Sequence, residues 1–122
     1  MENISLAIVT ENREYARALS LAMLNVCRDF IIKIISREEF MSLRQDFYNH
    51  NNRGAFCNQF DLILWDGEDA REAYGDSIIF MAEKQSLAIK DYENRRFGLY
   101  KYSPAKSLVA DIFEIYSYLT GR

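Results

Sequence analysis

Phe60-Asp61-Leu62-Ile63-Leu64-Trp65-Asp66 is the stretch on which the reading of the fold turns. Four apolar residues run unbroken and stop at a carboxylate, with Gly67-Glu68-Asp69 following at once. A run this short and this apolar is the pattern of a strand covered on both faces. In open parallel sheets the ligand site lies outside the carboxyl ends of the strands, where loops and helix N-termini converge. Asp66 stands at such an end and is the first candidate functional residue.

On either side, strand and helix patterns alternate. Residues 5–9 form a first buried strand that ends at Thr10-Glu11. Asn12 caps a helix in which Tyr15, Leu19, Ala22, Met23 and Val26 keep helical spacing. Residues 30–35 are rich in β-branched side chains and read as the second strand. Ser36-Arg37-Glu38-Glu39 is a capping box, and it opens a helix with Phe40, Leu43 and Phe47 turned inward. A polar loop over 49–54 leads to the third strand, and a short helical piece over 70–74 stops at Gly75. Residues 77–82 are the fourth strand. The segment 83–96 has room for a helix but only a poor apolar face in Leu87, Ile89 and Tyr92, so a degraded fourth helix is expected. Residues 98–102 are the fifth strand. Ser103 caps the last helix, Pro104 takes its first position, and Leu108, Ile112, Ile115 and Leu119 form its inner stripe.

Crossovers of this length imply parallel strands with right-handed connections. The expected fold is therefore α/β, a three-layer doubly wound parallel five-stranded sheet of order 2-1-3-4-5, flavodoxin-like, with residues 1–122 as a single domain.

Bulk properties narrow the function. The 122 residues carry a net charge of -3, and their Lys and Arg are scattered rather than striped, which speaks against a nucleic-acid surface. No apolar run approaches the ~20 residues of a membrane span, and the first residues lack the layout of a signal peptide. Cys27 and Cys57 are read as reduced thiols of a cytoplasmic protein. His50, the single histidine, sits in the polar loop with no second ligand type beside it, and is read as solvated. The acidic, glycine-free Thr10-Glu11-Asn12-Arg13-Glu14 offers no phosphate cradle for a flavin-type cofactor.

With Asp66 after Leu62-Ile63-Leu64-Trp65, Thr10-Glu11 after Ile8-Val9, and Lys101 in the fifth strand, the chain resembles the CheY-like receiver domain of response regulators in two-component signal transduction. The resemblance implies that Asp66 occupies the phospho-acceptor position, Thr10-Glu11 the Mg²⁺-holding acidic pair, Ala82 the hydroxyl position and Lys101 the conserved lysine. Thr10, Ala82 and Tyr102 depart from the family pattern. The closing Leu99-Tyr100-Lys101-Tyr102-Ser103-Pro104-Ala105 is similar to the atypical receiver at the N-terminus of TadZ/CpaE-type pilus-assembly ATPases. No Walker-type loop is present, so an ATPase domain is expected outside this sequence.

These departures define two readings. In the first, the chain is an atypical, non-enzymatic receiver-like domain that is not phosphorylated and serves dimerisation or localisation, with at most a weak Mg²⁺ site at Glu11 and Asp66. In the alternative it is a phospho-accepting receiver that uses Asp66 and Lys101 and is served by a histidine kinase. Thr10 removes a metal-binding charge and Ala82 removes a donor to the phosphoryl group, so both favour the first. The expected partner is a second copy or another protein, through the last helix and fifth strand, with Tyr102, Phe113 and Tyr116 near the contact.

Overall fold

The computed structural model describes residues 3–49, 60–67 and 78–121. The sequence-read loop with His50, the residues around Cys57 and Glu68, and the short helical piece over 70–74 lie outside them. The described elements are strand β1 (Ile4–Val9), helix α1 (Arg13–Val26), β2 (Phe30–Ile35), α2 (Arg37–Asn49), β3 (Leu62–Asp66) and β4 (Ile78–Ala82). A single 3-10 turn (Gln85–Leu87), β5 (Ile89–Asp91), β6 (Arg96–Tyr100) and helix α3 (Ala105–Thr120) follow.

The strands form one sheet in the order β2-β1-β3-β4-β6-β5. All neighbours pair in parallel except β5, which runs antiparallel to β6 at the edge. The apolar runs explain the layering. Leu6, Ile8, Leu62 and Leu64 face a core built with Ala16, Leu19 and Met23 of α1 and Leu108, Ile112 and Ile115 of α3. Their chain neighbours Ala7, Val9, Ile63 and Trp65 face the opposite core, which Phe40 of α2 completes. Side chains alternate across a strand, so a strand covered by helices on both faces needs apolar residues at every position.

Local chemistry sets the helix ends. Asn12 accepts from the Tyr15 backbone N–H at 3.0 Å, and Ser36 Oγ accepts from the Glu39 backbone N–H at 3.0 Å, each relieving one unpaired donor of a first turn. Pro104 proves to be the cap of α3 rather than its first residue, and no side chain caps that end. At the other end Gly121 adopts the left-handed conformation, φ 73°, and its N–H returns to Ser117 and Tyr118.

Two expectations are corrected. Among the described residues the sheet has six strands and is mixed, not five and parallel. The segment 83–96 holds no α-helix; after the 3-10 turn it forms a β-hairpin arm. The physical reason lies in its turn chemistry. Asp91 accepts from the Asn94 backbone N–H at 3.1 Å and from its side-chain amide at 2.8 Å, and Arg95 takes φ 52°. The side-chain-closed turn, followed by Arg95 in the left-handed region, bends the chain back on itself where a helix would continue. The hairpin is then fastened to α3. Lys90 Nζ donates to Asp111 at 2.5 Å, the Tyr92 hydroxyl donates to Glu114 at 2.6 Å, and the Tyr118 hydroxyl donates to the Tyr92 carbonyl at 2.8 Å. No described helix is long and apolar enough to cross a membrane.

Candidate functional site

Three strand ends converge at Asp66. β3 carries Asp66 itself, β1 delivers Thr10 one residue past its end, and β6 delivers Lys101 in the same way. The Lys101 backbone N–H donates to the Ala82 carbonyl at 2.8 Å, which fixes the turn after β6 against the end of β4. Its side chain therefore reaches back over the sheet edge. The Lys101 ammonium lies 2.8 Å from Asp66 Oδ1, and the two side chains are only 9% and 16% exposed.

The second carboxylate oxygen is also engaged. Thr10 Oγ1 donates to Asp66 Oδ2 at 2.6 Å and accepts from the Asn12 backbone N–H at 3.0 Å. Thr10 is the one buried polar residue among those described, at 2% exposure. A buried hydroxyl with both a donor and an acceptor role filled is stable there.

Tyr15 closes the site from α1. Its ring lies 4.3 Å from the Lys101 ammonium, a cation–π distance. Its hydroxyl is buried and finds no hydrogen-bond partner among the described residues. Burial pushes the Tyr15 phenol well above its usual ionisation range, and the negative charge of Asp66 adds to this. Arg37 approaches from α2. Its guanidinium donates to the Asp66 carbonyl at 2.7 Å and stacks over Trp65 at 5.2 Å, while its backbone N–H donates to Glu11 Oε1 at 3.0 Å.

The structure thus brings Asp66, Lys101 and Thr10 into direct contact. Glu11 is placed differently, exposed and capping the start of α2, so it meets Asp66 through Arg37. Ala82 is fully buried at the end of β4 and offers no polar side-chain atom. Tyr102 is 62% exposed, whereas Phe113 and Tyr116 are half-buried against the α1–α3 core, with the Phe113 ring 5.3 Å from that of Phe30.

Mg²⁺ asks for free carboxylate and carbonyl oxygens in octahedral array. Here both Asp66 oxygens and its carbonyl already accept from Thr10, Lys101 and Arg37, and Glu11 accepts from a backbone N–H. In this arrangement a magnesium ion would have to share or displace these donors. Among the described residues, no group of three or more His, Cys, Asp and Glu is placed to hold a metal.

Sequence reasoning missed Tyr15 and Arg37. Tyr15 carried a helical-spacing signal that reads as core, and Arg37 was hidden inside the capping box. No protein-family model matches the chain, and no curated protein is significantly similar to it.

Proposed function

We propose that this chain is an atypical receiver-like interaction domain whose Asp66 pocket is closed by its own side chains and takes no phosphoryl group. The observation that carries this is the double engagement of Asp66, by Lys101 at 2.8 Å and by Thr10 at 2.6 Å. A carboxylate acting as nucleophile needs a free oxygen and a metal to offset the donor's charge. Here a lysine and a threonine occupy those positions, and Ala82 supplies no hydroxyl with which to read a product. Apart from the edge strand β5, the order β2-β1-β3-β4-β6 is that of a flavodoxin-like doubly wound sheet, which supports the receiver reading.

In this reading the domain is not an enzyme. It works in the cytoplasm by dimerising or by docking a protein partner, as the targeting module of a pilus-assembly ATPase. The phospho-accepting alternative draws on the same Asp66–Lys101 pair, because a receiver also keeps a lysine beside its acceptor. Incubation with acetyl phosphate and Mg²⁺ followed by intact mass separates the two. Unmodified protein is expected. A stoichiometric phosphoryl adduct that disappears in Asp66→Asn would establish the ordinary receiver instead.

A further inference from the structure

β2 is an edge of the sheet. It pairs with β1 on one side, and no described strand pairs with it on the other. Its sequence, Phe-Ile-Ile-Lys-Ile-Ile, holds no proline and a single charge, so it carries few of the devices that keep edge strands from pairing. Ile31 is 57% exposed. The phase of the strand can be read from its bonds to β1. The Ile4 N–H goes to the Asp29 carbonyl and the Thr10 N–H goes to the Ile35 carbonyl. Odd-numbered residues of β2 therefore turn their backbone groups toward β1, and Phe30, Ile32 and Ile34 turn theirs outward.

We infer that this edge is the docking surface for a second copy of the same chain, with the two β2 strands paired antiparallel about a two-fold axis at Ile32. That register is the one in which all three outward residues find outward partners. Phe30 meets Ile34 of the second copy, Ile32 meets Ile32, and Ile34 meets Phe30, each pair exchanging both backbone bonds. Sliding by two residues either way loses one of these pairs. Sliding toward the C-terminus also sets Lys33 against Lys33, and like charges directly opposite are unfavourable. In the chosen register Lys33 faces Ile31, whose exposed side chain covers the lysine stem.

Charge complementarity at the strand ends selects a second copy as the occupant. Extending the register places exposed Arg28 opposite Ser36 of the second copy. Beside Ser36 lies a groove lined by Lys33, Ser36, Glu38, Glu39, Ser42 and Leu43. Glu38 and Glu39 make the first turn of α2 acidic, while the Arg37 guanidinium is turned away to the Asp66 carbonyl. The two-fold axis repeats the Arg28-to-acid contact at the other end. The result would be a continuous sheet through two copies, independent of whether Asp66 is ever modified.

Sedimentation of wild type, Ile31→Lys and Ile31→Glu over a micromolar range tests both the face and the register. Ile31 is exposed, so neither change is expected to alter the monomer's thermal midpoint appreciably. Wild type should be dimeric. Ile31→Lys sets one ammonium group against Lys33 of the opposing copy at each end of the contact and should weaken the dimer about tenfold or more. Ile31→Glu sets a carboxylate there and should leave the dimer as tight as wild type or tighter. A monomeric wild type would overturn the proposal and leave the edge to a strand of another protein. Equal weakening by both variants would reduce the contact to nonspecific apolar association, and no effect of either would place the dimer on another face; each overturns it.

Discussion

Thr10 Oγ1 lies 2.6 Å from Asp66 Oδ2 and donates its proton there. A threonine gives this site a different character from the one a second carboxylate would give it. Two carboxylates this close repel and hold a cation between them, whereas a hydroxyl satisfies the carboxylate directly. With Lys101 on the other oxygen, Asp66 has both oxygens engaged without any ion. The site is thus a buried ion pair with an extra hydrogen bond, the arrangement under which a buried charge is tolerated.

Thr10→Asp should therefore create a need for a cation at Asp66. The new carboxylate would face Asp66 at hydrogen-bond range and lower stability at neutral pH by about 1–3 kcal/mol. Thermal melts should show millimolar Mg²⁺ raising the midpoint of the variant and leaving wild type unchanged. A variant that melts like wild type, or ignores the cation, would mean that side chain 10 does not set the charge balance at Asp66.

Tyr15 carries a buried hydroxyl with no partner among the described residues. Removing an unsatisfied buried polar group relieves a desolvation penalty, so Tyr15→Phe should be neutral or stabilising by about 1 kcal/mol in urea unfolding. The wild-type phenol should also make the fold sensitive to alkali. Its folded ionisation lies above the ordinary phenol value of 10.0, so above that pH the unfolded chain has released a proton that the folded chain keeps. The linked stability is fully present below pH 10 and is lost as pH rises toward the folded value. Stability curves of wild type and Tyr15→Phe should diverge from neutral to strongly alkaline pH, with wild type falling faster. Parallel curves would mean that the phenol ionises as freely in the folded chain as in the unfolded one.

Gly98 tests the sheet rather than the site. It pairs with Phe80 across β4 and β6, and a methyl group added to it would come within 2.2 Å of the Phe80 ring carbons. Phe80 is buried and cannot swing clear into solvent. Overpacking of this kind typically costs about 1–3 kcal/mol, so Gly98→Ala should lower the urea midpoint with little change in slope. Wild-type stability in the variant would show that the ring is free to move aside.

What the sequence made legible, and what it hid, follows from the range of the forces involved. Leu62 to Trp65 could be read as a doubly covered strand because burial on two faces writes itself into every consecutive residue. Asp66 and Lys101 could be placed because strand ends in one sheet share an edge. Thr10 was read as a lost charge, since residue type reports what is missing and not which donor takes over. Arg37 reaches Asp66 through a long side chain from the start of the next helix, a contact that no periodicity encodes. The β5 hairpin was missed for a different reason. Its tight turn at Asp91–Arg95 is a local feature without a hydrophobic period, and the clasp from Tyr92 and Lys90 to α3 is a tertiary effect.

The Asp66–Lys101 pair sets the last prediction. Both side chains are well buried, so deleting either charge leaves the other unpaired in a site where water is scarce. Breaking a buried pair from one side typically costs about 3–5 kcal/mol, much of it the penalty of the stranded partner. Lys101→Met retains an apolar stem over the Tyr15 ring, and Asp66→Asn keeps the shape and one acceptor for Thr10, so each change isolates the charge. Each single variant should lose several kcal/mol in urea unfolding. The double variant should lose clearly less than their sum, because it leaves no charge stranded, giving a coupling of at least about 1 kcal/mol. Thr10 sharpens the test, since Asp66→Asn turns an ionic acceptor into a neutral one and should also weaken that 2.6 Å bond. Additive losses would show that the two groups ionise independently, and the pocket would then be open to an external cation.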